Sequence, residues 1–187
     1  MRSPPEFRMS VTRRGEKEQR LSAFISQSLA AVAQSAETQR RGGISVIARS
    51  LQSPVIRAID ARAQEIAAAG YSVRMVLGKS DRFALTGCWA HPQAAALNCE
   101  VRLARDPRLI EVHEQLVLGP RTCWTGDSMR RDPAACDGYE SFINDCADIA
   151  QAAALTFERL WLGGESLFEH RPIAPAIGPA AAVERRP

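Results

Sequence analysis

Apolar residues near the N-terminus recur every three or four positions, which predicts an amphipathic helix from about residue 19 to residue 37. They are Leu21, Phe24, Ile25, Leu29, Val32 and Ala33. The glycine pair Gly42 and Gly43 follows and is typical of a helix end. The β-branched run at residues 44–48 then predicts a short buried strand.

A second helix is predicted between two strands. Ser53 suits the N-cap, Pro54 the first helical position and Gly70 the C-cap of an amphipathic segment. Residues 71–78 alternate between apolar and polar and predict a strand directly afterwards. A strand, helix, strand order with a crossover of this length predicts two parallel neighbours in one sheet.

The second half of the chain is rich in predicted strands. They fall at residues 83–89, 99–103, 109–118, 122–125 and 139–143, with a short helix near 93–97 and a long amphipathic helix at 147–162. The turn residues Gly119 and Pro120 predict a hairpin between the third and fourth of these strands. Together the elements predict an α/β fold with a mixed sheet flanked by helices.

The two ends of the chain show no periodicity. Residues 1–20 mix proline, serine and charged residues, and residues 169–187 are rich in proline and alanine. Both are predicted to be mobile, framing one domain at residues 21–168, a size usual for a single core. Met9 is an alternative start, because the eight residues before it contribute no recognisable element.

Composition excludes several classes of protein. The longest apolar stretches fall short of the ~20 residues that cross a bilayer, and no secretory leader is recognisable, so a cytoplasmic protein without a membrane span is predicted. The five cysteines lack CxxC spacing and are expected to be reduced, with Cys99 and Cys123 buried. His91 and His170 have no ligand-type neighbours, and residues 127–137 lack the alternation of a calcium loop. No metal and no cofactor are predicted.

Residues 99–164 carry a more specific pattern. A strand is followed by one that holds His113, then a hairpin, a turn with glycine and serine, an acidic strand and a helix that ends in F-x-x-L-W. This order resembles the catalytic stretch of phospholipase D-like phosphodiesterases, and residues 53–78 resemble the helix and strand that precede it. The resemblance spans about residues 44–162 and implies one half of a two-motif active site.

The family signature is H-x-K-x(4)-D-x(6)-G-S-x-N, and this sequence departs from it at most positions. His113 matches, whereas Gln115 stands at the lysine and Pro120 at the aspartate. Gly126 comes one residue before the position of the signature glycine, and Ser128 is the candidate for the serine. Glu140 corresponds in position to the acidic residue that, in the family, orients the nucleophilic histidine.

The resemblance implies that His113 would attack phosphorus to form a phosphohistidine while lysine and serine hold the phosphoryl oxygens. A neutral glutamine brings no charge, and a charged donor contributes about 1.5–3 kcal/mol, roughly twice a neutral one. The motif therefore predicts a catalytically impaired protein retained for binding a phosphate ligand or a partner. Arg130 and Arg131, near the predicted turn, are candidate phosphate-binding residues beside Gln115. If one of them replaces the lysine, the chain is instead an active phosphodiesterase, nuclease or phospholipase.

Plainer interpretations stand beside these. Alternation places Glu111, His113 and Gln115 on one strand face, which solvent exposure alone explains. Arginines in a loop are often only a solvated surface. The net charge of +3, nearly all from arginine, leaves open a module that binds nucleic acid or a protein through its N-terminal helix and arm.

A single motif also implies an assembly. Phospholipase D-like sites need two histidine-bearing halves, so the resemblance predicts a homodimer in which each chain contributes one His113. Trp89, Trp124 and Trp161 are expected in or beside the core, and Trp124 is also a candidate contributor to the dimer interface.

Overall fold

The computed structural model describes residues 9–10, 14–34, 43–78, 97–105, 111–131 and 138–166. The predicted strand at 83–89, most of the helix near 93–97, and the tail at 169–187 lie outside these ranges. So do His91, His170 and Trp89. No helix within the described ranges combines the length and apolar character needed to cross a membrane.

Helices and strands are interspersed along the described residues. In order they are β1 (Met9–Ser10), α1 (Arg14–Gln34), β2 (Gly43–Ala48), α2 (Pro54–Ala61), α3 (Ala63–Ala68), β3 (Ser72–Leu77), β4 (Asn98–Leu103), β5 (His113–Val117), β6 (Cys123–Ser128), β7 (Gly138–Tyr139), β8 (Ser141–Ile143), α4 (Ala147–Gly163) and β9 (Glu165–Ser166). This confirms the α/β class.

Seven of the strands form one mixed sheet, in the order β8-β6-β5-β2-β3-β4-β9. The central strands β2, β3 and β4 are parallel, with Gly43 opposite Ser72 and Ala48 opposite Leu77. The crossover predicted between β2 and β3 is therefore confirmed. Strands β5 and β6 form the predicted antiparallel hairpin, and β1 pairs separately with β7.

Helices cover both faces of the sheet. On one face, α1, α2 and α3 pack on alternate strand residues such as Val46 and Met75, which are fully buried. On the other face, α4 brings Phe157 and Trp161 against Ile47 and Val76. The opposite directions of successive strand side chains produce these two layers.

Trp124 belongs to the core of the first face and is fully buried within the chain. The expectation that it contributes to a dimer interface is therefore wrong. Its burial as a core aromatic is confirmed, as is that of Trp161.

Three predicted boundaries shift. Helix α1 begins at Arg14, so residues 14–20 of the predicted mobile arm are helical, and Met9–Ser10 pair with β7. The helix after Pro54 is interrupted at Arg62, and Gly70 follows it with a φ of 74°, a left-handed conformation that glycine adopts without strain. The predicted strand at 139–143 is split at Glu140 into β7 and β8.

Candidate functional site

His113 lies at the edge of the sheet where the parallel strands β2 and β3 end. It is the first residue of β5, it is exposed, and it pairs with Ser128, the last residue of β6. Its ring nitrogen Nδ1 lies 2.8 Å from the backbone carbonyl oxygen of Gly126. In open α/β sheets the carboxyl edge of the strands is where ligand sites form, so His113 occupies a favourable position.

A β-bulge next to His113 shapes this edge. His113 faces Ser128 and Gln115 faces Thr125, so the single residue Glu114 lies opposite Gly126 and Asp127. Residue 126 has to be glycine here, because a Cβ would lie 2.2 Å from Cη2 of the buried Trp124 indole. The absence of a Cβ at Gly126 thus permits the close approach of the indole, and the Gly126 carbonyl oxygen contacts His113 Nδ1.

Asp127, the second bulge residue, is held by two donors from different elements. The Lys17 ammonium of α1 donates to Oδ2 over 2.8 Å, and the backbone N–H of Tyr139 donates to Oδ1 over 2.7 Å. The Tyr139 ring meets the His113 ring edge to face at a centroid distance of 5.7 Å. Lys17 and Asp127 therefore support the same loop that contacts His113.

Glu140 is buried and forms an ion pair with Arg20 of α1. The family resemblance leads one to expect this carboxylate to orient His113. The hydrogen bond described for His113 goes to Gly126 instead, so the orienting role of Glu140 stays a prediction.

Gln115, at the position of the family lysine, is buried on the opposite side of the strand from Glu114. Its amide Nε2 donates to the Ala153 carbonyl of α4 over 2.8 Å. The interpretation of residues 111, 113 and 115 as one solvated face is therefore wrong for Gln115, which is 6% exposed.

Glu114 lies between His113 and Gln115 in β5 and is also buried. Its Oε1 accepts hydrogen bonds from Ser53 Oγ over 2.5 Å and from the Arg49 backbone N–H over 3.0 Å. Ser53 lies at the predicted N-cap of α2, yet its hydroxyl donates to Glu114 and makes no cap hydrogen bond. Arg49 also donates through Nη2 to the Ser128 carbonyl over 2.7 Å.

The candidate phosphate-binding arginines lie near acidic side chains. Arg130 Nη2 is 3.3 Å from Glu111 Oε1, and Arg131 Nη1 is 3.9 Å from Asp127 Oδ1. The Arg130 backbone N–H donates to Ser128 Oγ over 3.3 Å. These carboxylates offset part of the positive charge that an anionic ligand would meet.

The described residues also include possible metal ligands and free cysteines. No group of three or more potential metal ligands occurs among them. Burial raises the pKa of the fully buried Cys123 thiol to about 11 and that of the partly buried Cys99 to about 12. Both thiols are therefore protonated at neutral pH and poor nucleophiles.

Lys17, Arg20, Arg49 and Asp127 are site residues that the sequence reasoning missed. The resemblance concerned the strands, and the two α1 residues fall in a stretch without apolar periodicity. One signal was available in the sequence: Lys17 is one of only two lysines, and the other strongly basic side chains are all arginines.

Comparisons with known proteins bear on the fold. No family model and no curated protein matches the chain. Among solved structures it is similar to NucT from Helicobacter pylori at 13% identity and a TM-score of 0.50, over 81% of this chain and 93% of that chain. Nuc from Salmonella typhimurium, a phospholipase D family member, gives 17% identity and a TM-score of 0.49, over 75% and 88% of the two chains.

The third similar structure is TrmBL2, an archaeal chromatin protein that shows a novel mode of DNA binding. It matches at 9% identity with a TM-score of 0.54, over 88% of this chain and 55% of that chain. The fold is thus similar to those of NucT and TrmBL2. At these identities the likeness concerns the fold and leaves the chemistry to be argued from the site.

Proposed function

We propose that this chain is a phospholipase D-like domain that no longer turns over phosphodiesters and is kept for binding a phosphate-bearing ligand or a partner. The observation that supports this most directly is Gln115. It takes the place of the family lysine, carries no charge, and gives its amide hydrogen to the Ala153 carbonyl. A transition state at His113 would therefore lack that cationic donor, a loss that typically costs a hundredfold or more in rate.

Two further features support impairment. Residue 120, at the aspartate position of the motif, is proline, which has neither a carboxylate nor an N–H. Glu140 is paired with Arg20, so its charge is already compensated within the chain. His113 itself remains exposed at the carboxyl edge of the sheet, which fits a site retained for binding.

The direct test is hydrolysis of bis(p-nitrophenyl) phosphate by the full chain. We expect the wild type and His113→Ala to release nitrophenol at the same background rate. A robust turnover that His113→Ala abolishes would refute impairment.

The active alternative assigns the lysine's role to Arg130 or Arg131. If wild-type turnover is found, Arg130→Ala and Arg131→Ala identify the replacement, with circular dichroism to show that each variant is folded. The neighbouring Glu111 and Asp127 make this alternative the weaker one, because each guanidinium already lies near a carboxylate.

Binding is a separate measurement. Titration with a phosphodiester, a single-stranded oligonucleotide or a duplex should show saturable binding that His113→Ala weakens if the ligand carries phosphate at this site. The DNA-binding TrmBL2 shares the fold, which favours including nucleic acid among the ligands. Affinity for nucleic acid should fall steeply with salt, whereas affinity for a protein partner need not.

A homodimer follows from the same proposal. One motif per chain provides half of a two-histidine site, and a two-fold interface is the commonest way to bring two copies of one patch together. Light scattering at micromolar concentration should then give about 41 kDa, twice the 20.4 kDa of the chain. A clean monomer with full helical and sheet signal would contradict the dimer.

A further inference from the structure

The hydrogen bond of His113 defines which ring nitrogen carries a proton. Nδ1 lies 2.8 Å from the Gly126 carbonyl oxygen. A carbonyl oxygen can only accept, so Nδ1 must donate and therefore bears hydrogen. In the neutral ring the other nitrogen, Nε2, then has a free lone pair.

The position of the Gly126 carbonyl depends on the β-bulge. Because Gly126 and Asp127 together face Glu114, the backbone at Gly126 is displaced from a regular ladder. The Trp124 indole fills the space on the Cβ side of Gly126 and limits its movement there. The next residue, Asp127, is fixed by its two donors, the Tyr139 N–H and Lys17 Nζ.

Lys17 is enclosed at this point. Its side chain is 5% exposed, and a Cβ at Gly138 would lie 2.5 Å from its Nζ. The ammonium thus sits directly against the backbone of β7 while it donates to Asp127. A buried ammonium paired with one carboxylate strongly determines where that carboxylate lies, because either charge alone would be costly to bury.

We propose that Lys17, acting through Asp127 and the bulge, positions the Gly126 carbonyl so that His113 carries its proton on Nδ1 and presents Nε2 to ligands. Lys17 is a positioning residue in this arrangement and does not itself meet the ligand. The N-terminal helix thereby takes on the orienting task that the resemblance assigns to Glu140. The neutral ring then offers a lone pair to a hydroxyl group of a ligand.

The test reads the ring nitrogens of the ligand-free full chain by long-range proton–nitrogen NMR. The chain has three histidines, and His113→Ala assigns the signal of interest. In the neutral form of the ring, the wild type should show protonated Nδ1 and unprotonated Nε2. A wild-type ring protonated on Nε2 would overturn the proposal.

Variants decide the role of Lys17. Lys17→Met and Asp127→Asn should move His113 toward the Nε2-protonated form that free histidine prefers in water. Asp127→Asn keeps an acceptor for the Tyr139 N–H, so it remains informative if Lys17→Met does not fold. Arg20→Met is the matched control, since it removes the other ion pair between α1 and this edge and should leave the tautomer unchanged.

If the ring keeps its proton on Nδ1 in a folded Lys17→Met or Asp127→Asn variant, Lys17 has no positioning role. A tautomer that changes equally in Arg20→Met would also overturn the proposal, because general loosening of α1 would then explain it. The tautomer is measured without ligand or turnover. A negative result for the role of Lys17 is therefore distinguishable from a negative result for the proposed function.

Discussion

Gly126→Ala tests the packing beneath His113 most directly. The new Cβ would lie 2.2 Å from Trp124 Cη2, 2.4 Å from Cζ2 and 3.1 Å from Cζ3. The indole is rigid and fully buried, so it has little room to rotate away. Overpacking of a core costs about 1–3 kcal/mol, and we expect about 2–3 kcal/mol because two of these contacts are far inside van der Waals distance.

The assay is urea unfolding followed by tryptophan fluorescence and circular dichroism. In a chain of this size, a loss of about 2–3 kcal/mol in unfolding free energy would also lower the melting temperature in thermal unfolding by about 4–12 °C. Gly119→Ala is the matched control, since nothing lies within 4 Å of a Cβ at that residue, and it should change stability by less than about 0.5 kcal/mol. Equal unfolding midpoints for the two variants would refute the close approach of Trp124 to Gly126.

A double-mutant cycle separates the clash from other effects. Trp124→Leu is itself destabilising, because it leaves a cavity in the core. It also removes the indole atoms with which the new Cβ of Gly126→Ala would clash. Adding Gly126→Ala in that background should therefore cost at least about 1 kcal/mol less than in the wild type. Strict additivity of the two substitutions would count against the proposed contact.

Three further predictions concern stability. Arg20→Met should lower the unfolding free energy by about 2–3 kcal/mol, less than for a fully enclosed pair because the Arg20 side chain is 40% exposed. Ser53→Ala removes a donor from the buried Glu114 and should cost about 1–3 kcal/mol in the same urea assay. The pKa of Cys123 is raised from 9.0 to about 11, so the folded state retains a proton that the unfolded chain loses. Its contribution to the unfolding free energy is complete at neutral pH and is lost as the pH rises from about 9 toward about 11. Cys123→Ala should therefore make the fall in stability above about pH 9 less steep, and Cys99, whose pKa is also raised, should account for part of the remainder.

The elements that the sequence predicted well are those whose burial follows a local rule. Strands β2 and β3 are apolar runs on either side of a helix of crossover length, and their parallel pairing is confirmed. Helix α4 has a regular apolar face, and it too is confirmed. The hairpin of β5 and β6 was signalled by Gly119 and Pro120, which lie in its turn.

The failures share a different cause. Gln115 was placed on a solvated face because it alternates with apolar residues, but α4 covers that face and the Ala153 carbonyl satisfies the amide. The partner lies 38 positions away in the sequence, so strand periodicity carries no information about it. The bulge at Gly126 and Asp127 is equally hidden, because it is a shift in the register between β5 and β6, and the register is not known from the sequence.

The pattern of apolar residues did not predict the first turns of helix α1, and the site residues Lys17 and Arg20 lie in those turns. Lys17, Arg20 and Phe24 are three and four residues apart and therefore share one helix face. Lys17 bonds to Asp127, 110 positions away, and the Arg20 guanidinium lies 5.2 Å from the centroid of the Phe142 ring. Phe24 meets the same ring edge-on at 5.1 Å.

The face that docks α1 on the sheet is therefore polar in its first turns and apolar after them. A search for apolar periodicity finds only the second part and assigns the first to a mobile arm. Buried charges escape such a search because their burial depends on a carboxylate supplied by another element. Asp127 accepts from the N–H of Tyr139, whose ring meets that of His113, so the docking of α1 through Lys17 and the geometry of the candidate site share contacts.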